Sequence, residues 1–311
     1  MAAGGEGGTK AIVAALVANA GIAIAKFVGF LITGSSSMLA ESVHSVADTS
    51  NQGLLLYGGN RAKRDATPQH PFGFGRERYF WSFIVALVLF TLGSGFAIYE
   101  GIEKIRHPHV IDSLGVAVGI LLLGIVLEGY SFGTAIKIGR GMKGDAGWWE
   151  FIRRSRAPEV PVVLLEDAGA MTGLVLALAG VGLSEITGDP VWDGIGTLCI
   201  GLLLGLIAIV LAVEMKSLLM GESATVADQR AIRAAIEEHP AVDSLIHMRT
   251  QHLGPEELLV AAKIDFGDSL DMEDLATAVD DVERAIRASV THTQVIYLEP
   301  DVRRAAGAPT P

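Results

Sequence analysis

Long apolar runs, separated by short segments rich in Gly, Ser or Pro, dominate the first two-thirds of the chain. Six of them, 11–33, 37–59, 79–102, 114–138, 160–183 and 191–213, are long enough to cross a hydrocarbon core of ~30 Å as helices, which takes about 20 residues. Helices are the required form, because lipid offers no partner to open backbone groups. The breaks fall at Gly34 to Ser37, Pro68 to Gly75, His107-Pro108 and Thr187 to Pro190. The second run is the least apolar. Its Ser42, His44, Ser45, Asp48, Ser50, Asn51 and Gln52 cannot all face lipid, so this helix is expected to line an interior.

Beyond about residue 222 the pattern changes. Positions 228–239 alternate apolar and charged residues at helical spacing, with Pro240 closing the run. Segments 242–252 and 257–266 read as strands around a Leu253 to Glu256 turn, 272–290 as a helix, and 294–298 as a last short strand. The predicted fold is an all-α polytopic membrane domain of six transmembrane helices (11–218) followed by a C-terminal α+β domain of order α-β-β-α-β (219–301). A flexible tail (1–10) is expected before them and a disordered one (302–311) after.

Composition fits this division. Charged residues make up 19% of the chain, against about 25% in soluble domains, and the acidic residues behind the net charge of -11 crowd the C-terminal part. No basic face is offered to a nucleic acid, so that partner is excluded. Cys199, the single cysteine, lies in an apolar run, so there is neither an intramolecular disulfide nor a CxxC motif. The start of the chain lacks the charged region and cleavage site of a signal peptide, so the first run is expected to be retained. Arg61, Lys63, Arg64, Arg76 and Arg78 follow the second run, and Lys137, Arg140, Lys143, Arg153, Arg154 and Arg156 surround the loop after the fourth. The intervening loops hold only Lys104 and Arg106. By the positive-inside rule both termini are cytoplasmic.

Ionisable groups at bilayer depth are costly, at least ~2.5 kcal/mol each on insertion scales, and so mark function. His44 and Asp48, four residues apart, share one helix face. An imidazole nitrogen and a carboxylate oxygen placed so can share one Zn²⁺ ion, and a further helix must complete the tetrahedral shell. Asp167 in the fifth run is the expected donor. Its neighbour Glu166 lies about 100° away around the helix, so one of the two is expected to bind metal while the other pairs with a cation or faces a water-filled path. Glu128, midway along the fourth run, is a fourth ligand, a proton carrier or the partner of Lys26. Asn19 reads as an interhelical hydrogen bond. His70, alone in its loop, reads as structural or solvated.

Taken in order, these features resemble a known family. The segment Gly34-Ser35-Ser36-Ser37-Met38-Leu39-Ala40-Glu41-Ser42, the pair His44-x-x-x-Asp48 and the loop His70-Pro71-x-Gly73-x-Gly75-Arg76 are similar to those of the cation diffusion facilitator family of zinc transporters. The α-β-β-α-β tail resembles that family's cytoplasmic domain, which is metallochaperone-like and ferredoxin-like. The likeness implies a homodimeric Zn²⁺/H⁺ antiporter that exports zinc from the cytoplasm by alternating access, in a bacterial inner membrane and not an enzyme. His44, Asp48 and Asp167 inherit the ligand role by position, with Glu166 or Glu128 as an additional ligand or proton carrier. Two departures stand out. Val163 occupies the position four before Asp167 where the family usually has a His, and Leu164 to Ala170 instead resembles the branch that includes a mitochondrial zinc transporter of animals. In the tail, His247 holds one position used for zinc in some members, but Lys263 stands where another His is expected and Glu299 replaces a third. His247 and Glu299 are therefore weak candidates, no well-formed binuclear site is expected, and His252 or His292 are further weak binders. Exporters of Mn²⁺, Fe²⁺ or Co²⁺, or a membrane metal sensor that transports nothing, are the alternatives. A metal-dependent hydrolase is disfavoured, since no His-Glu-x-x-His is present.

Overall fold

A computed structural model of the chain describes residues 12, 13, 16, 17, 19–25, 27, 28, 31, 36–108 and 114–303, with the side chains of 36–44, 47 and 293 outside the description. It comprises two compact units, Met1–Lys216 and Ser217–Pro311.

In the first unit the described residues between 12 and 31 are helical, here α1. They are followed by α2 (Ser36–Arg61), α3 (Glu77–Val88), a π-helical segment (Leu89–Gly95), α4 (Phe96–Arg106), α5 (Leu114–Lys143), α6 (Trp148–Arg154), α7 (Glu159–Thr187) and α8 (Val191–Met220). Among the described residues four helical stretches have the length and apolarity to cross a bilayer: Glu77–Arg106, Leu114–Lys143, Glu159–Thr187 and Val191–Met220. The protein is an integral membrane protein. α2 has the length, 26 residues, but turns its polar side inward: Ser45, Asn51 and Gln52 are buried while Val46 is exposed. Such an inverted amphipathic helix is stable where the solvent is hydrocarbon. α7 begins with Pro161 in its first turns, where no intrahelical donor is lost. It ends at Gly188, whose φ of 71° supplies the left-handed stop, with Pro190 just beyond.

Two features escape hydrophobic periodicity. The stretch 79–102 reads as one helix, yet Leu89–Gly95 winds as π-helix in its middle, a form concentrated at functional sites. Immediately after it, α4 lies against α8 backbone to backbone. A Cβ on Gly101 would come within 2.6 Å of Leu198 N, and one on Gly201 within 2.7 Å of Ile98 N. Only glycine permits this approach, the small-residue packing typical of membrane helices. The Ser94 hydroxyl donates to Gly201 O at 2.8 Å at the same seam. The short α6, in the loop after α5, is anchored by buried Phe151 and Ile152; seven residues are too few to carry a readable period.

The second unit runs α9 (Val226–Glu237), β1 (Val242–Gly254), β2 (Glu257–Phe266), α10 (Met272–Ser289) and β3 (Thr293–Pro300), the α-β-β-α-β order read from the sequence. β2 is central, antiparallel to β1 and parallel to β3. Leu258, Val260, Ala262, Ile264 and Phe266 alternate inward from β2 and pack against Ile232 and Ile236 of α9 and Ala278, Val282 and Ile286 of α10. Thr225 caps α9 by accepting from Asp228 N, and Asp271 caps α10 by accepting from Glu273 N and Asp274 N. Both helices cover one sheet face.

Candidate metal centre in the membrane unit

Three helices aim polar groups at one another. On α5 the buried positions are Gly124, Glu128, Ser131, Ala135 and Gly139, a single stripe at three- and four-residue intervals. α7 packs along it and contributes Glu166 (5% exposed) and Asp167 (1%). The third helix is α2, which supplies Ser45, Asp48, Asn51 and Gln52. Between them lies a cavity of about 120 Å³ lined by Asp48, Glu128, Glu166 and Asp167, together with Asn19, Ser45 and apolar Leu89, Leu121, Leu174, Ile200 and Leu204. It has room for an ion with several waters. Leu89 opens the π-helical segment, so the irregular turn of the third span borders the cavity.

Neutral donors hold the two adjacent carboxylates. Ser131 Oγ donates to Asp167 Oδ2 at 2.7 Å. Asn51 Nδ2 donates to Glu166 Oε1 at 2.9 Å and Gln52 Nε2 to Glu166 Oε2 at 2.8 Å. Asn19 Nδ2 donates in turn to Gln52 Oε1 at 3.3 Å, the interhelical bond expected of it. Among the described residues no Lys or Arg forms an ion pair with Glu166 or Asp167. Four described cations of this unit are engaged elsewhere: Arg78 with Glu159, Arg61 with Glu77, Lys104 with Asp193 and Arg153 with Glu214.

Of the residues expected to bind metal, Asp48 and Asp167 line the same cavity. Glu166 and Glu128 line it too, although neighbours on a helix diverge; Glu166 turns to donors on α2 and Asp167 to one on α5. For the carboxylate that does not bind metal the two alternatives are a cation partner or a water-filled path; Glu166 lines the cavity and has two amide donors. The side chain of His44 lies outside those described, as does Lys26. Among the described residues no three His, Cys, Asp or Glu side chains converge closely enough to hold one ion. Asn51, Gln52 and Ser131 were not singled out from the sequence as partners of these acids. The signal for Ser131 was there: three residues after Glu128, it lies on the same helix face. His70 is exposed and set edge-on to Phe74 at 4.7 Å, with Arg64 over that ring at 4.4 Å, an arrangement that orders the loop.

In the C-terminal unit His247 pairs with Lys263 across β1 and β2, and Lys263 with Glu299 across β2 and β3. Lys263 Nζ lies 3.0 Å from Glu299 Oε1 and 2.9 Å from Asp301 Oδ2. Hydrogen bonds to Asp301 and then Glu299 hold its ammonium pKa above the ordinary value. A cation thus already stands between the two weak candidates, His247 and Glu299. His252 is fully buried, its ring edge-on to His292 with centroids 5.3 Å apart.

Residues 12–220 match the cation efflux transmembrane domain. The chain belongs to the cation diffusion facilitator family. This facilitator is 32% identical over 84% of its length to the human proton-coupled zinc antiporter SLC30A9, mitochondrial, covering 46% of that protein. It is 32% identical over 83% of its length to metal tolerance protein C4 of Arabidopsis thaliana, covering 57%. It is also 25% identical over 86% of its length to magnetosome protein MamB of Paramagnetospirillum magneticum, covering 85%. The chain spans about half the length of the human and plant relatives.

Proposed function

We propose that this facilitator exports Zn²⁺ from the cytoplasm in exchange for protons, with the ion held by His44, Asp48 and Asp167 between the second and fifth of six spans. The observation that carries the reading is the cavity ringed by carboxylates from α2, α5 and α7, in which the donors to Glu166 and Asp167 are neutral. Buried carboxylates so held leave negative charge for a cation to balance, and a transported cation is one that arrives and leaves. Exchange for protons follows from the ligands, since carboxylates and imidazole must be deprotonated to bind metal. The human relative is named a proton-coupled zinc antiporter, which supports the same reading. Both termini are assigned to the cytoplasm on the loop charges given above, and the chain to a bacterial inner membrane on the family resemblance. We assign it a homodimeric state: the sheet face turned away from α9 and α10 presents Leu259, Ala261, Val295 and exposed Tyr297, an apolar strip suited to a second copy. We assign 11–218 to the membrane and 219–301 to a domain outside it.

One observation favours a second cargo. Four carboxylates around one cavity form a harder ligand field than zinc sites usually have, and suit Mn²⁺ or Fe²⁺. The test is proton-gradient-driven flux of ⁶⁵Zn²⁺ into sealed proteoliposomes, with Mn²⁺, Fe²⁺ and Co²⁺ in parallel. Wild-type zinc flux that is lost in both Asp48→Ala and Asp167→Ala supports the reading. Flux of manganese without zinc replaces the cargo, and flux of none of the four overturns transport.

A further inference from the structure

We infer that Asn51 and Gln52 set which ions the cavity accepts, by occupying both oxygens of Glu166 and keeping that carboxylate out of the ion's coordination shell. The inference rests on the reading of the cavity as a metal site. Each Glu166 oxygen has its own amide donor, at 2.9 Å and 2.8 Å. Every member of the network is buried: Asn51 is 1% exposed, Gln52 0%, Asn19 4% and Glu166 5%. Asn19 braces Gln52 from the first span, so the clamp is supported from behind. Asn51 turns its amide nitrogen to Glu166 and leaves its own Oδ1 buried without a hydrogen-bond partner. The reverse orientation would set two oxygens against each other, so the demand for a donor at Glu166 outweighs the stranded carbonyl.

The choice of amides has a chemical consequence. A Lys or Arg in their place would cancel the Glu166 charge. Amides leave that charge to attract a cation while each engages one of the two lone pairs on its oxygen and fixes the carboxylate toward α2. With Glu166 held back, the direct ligands on α2 and α7 are few and suit a tetrahedral ion such as Zn²⁺. Glu166 lines the same cavity as Asp48 and Asp167, so losing one amide frees an oxygen at the edge of the shell. An added carboxylate oxygen raises the coordination number and the hardness of the site, which favours Mn²⁺. Asn51 and Gln52 are thus positioning residues, acting through Glu166.

The experiment is equilibrium binding of Zn²⁺ and of Mn²⁺ to the detergent-solubilised full chain by calorimetry, for wild type, Gln52→Met and Asn51→Leu, and for each of these combined with Glu166→Gln. Both replacements keep the side-chain volume and remove the donor. Zinc preference, taken as the ratio of the two dissociation constants, is expected to fall at least about tenfold in each amide variant, the lower end of what outer-sphere partners contribute to metal affinity. The fall is expected to vanish in the Glu166→Gln background. Equal weakening of both metals would make the network a mere tether between spans two and five and overturn the inference. So would a shift that persists without the Glu166 carboxylate. If Gln52→Met fails to fold, Asn51→Leu reads the same ratio through the other oxygen. Because binding is measured rather than flux, a chain that binds both metals but carries neither fails the transport reading alone.

Discussion

The two units of this facilitator handle clustered negative charge in opposite ways. In the membrane unit Glu166 and Asp167 are held by Asn51, Gln52 and Ser131, all neutral, beside a cavity. In the C-terminal unit Glu299 and Asp301 converge on the Lys263 ammonium, a cation that the chain itself supplies. On the reading proposed above, the first arrangement takes a diffusible positive charge; the second holds a resident one. A protein-borne cation cannot leave, so the difference separates a site that can exchange its ion from a fastening between strands. The difference also explains why His247 and Glu299, read as weak metal candidates, flank an ammonium.

The sharpest way to break that comparison is to remove the resident cation. Lys263→His would place an imidazole opposite His247 and beside Glu299 and Asp301, three potential ligands besides itself. Zinc bound to the C-terminal unit is expected to rise from none to one equivalent per chain, with an affinity gain of at least about 100-fold over wild type, since a structural site needs four such donors. The measurement is calorimetric zinc titration in an Asp48→Ala, Asp167→Ala background, so that the membrane site does not contribute. An unchanged titration would mean that Lys263 is not what keeps metal out.

A smaller effect is expected at Ser131. Its hydroxyl donates to one Asp167 oxygen at 2.7 Å, and on the proposed reading the other oxygen meets the ion. Ser131→Ala removes a hydrogen bond to a charged group, worth about 1.5–3 kcal/mol. The affinity for Zn²⁺ should fall roughly tenfold or somewhat more, within the usual range for outer partners of a metal ligand. Mn²⁺ affinity should fall in parallel, because Ser131 orients a ligand whereas Gln52 withholds one. Calorimetry with both metals separates the two roles: a changed metal ratio in Ser131→Ala would place Ser131 in the discriminating network and blur the distinction.

Much of this was legible in the sequence because lipid and water impose simple periods. The apolar runs located the long helices from Tyr79 onward, and alternation in Glu257 to Phe266 gave the central strand with its bounds. Among the site residues, charge in an apolar context marked Asp48, Glu128, Glu166 and Asp167, and all four reach one cavity. The partners of those acids were harder to read. Asn51, Gln52 and Ser131 are residue types that pack in many membrane helices without special roles, and only the crossing of α2, α5 and α7 gives them their acceptors. The π-helical turn at Leu89–Gly95 and the glycine seam of α4 and α8 were hidden for a related reason: both depend on how two backbones meet, which one chain's hydrophobicity does not record.

The smallest expected effect concerns a carboxylate of the C-terminal unit outside the Lys263 cluster. Glu257, at the start of β2, is half-buried, and burial pushes its carboxyl pKa above the ordinary 4.5. A folded-state pKa above the unfolded one means that the folded chain holds this proton more tightly. Stability from this group is therefore present below about pH 4.5 and is lost as pH rises through the folded value. Lys263 cannot mimic the trend. Its raised pKa gives a contribution that fades only above the unfolded lysine value of about 10.4, so the ammonium itself takes up and loses no proton over the acidic and neutral range. Glu257→Gln removes the burden of a half-buried charge and keeps the shape. Its melting temperature should exceed that of wild type by a degree or two at pH 7.5, an increment of the size a fraction of a kcal/mol produces. The gap should close as pH falls toward 4.5, as followed by intrinsic fluorescence of the full chain. A gap that widens toward acid would mean that the Glu257 carboxylate is stabilised in the fold.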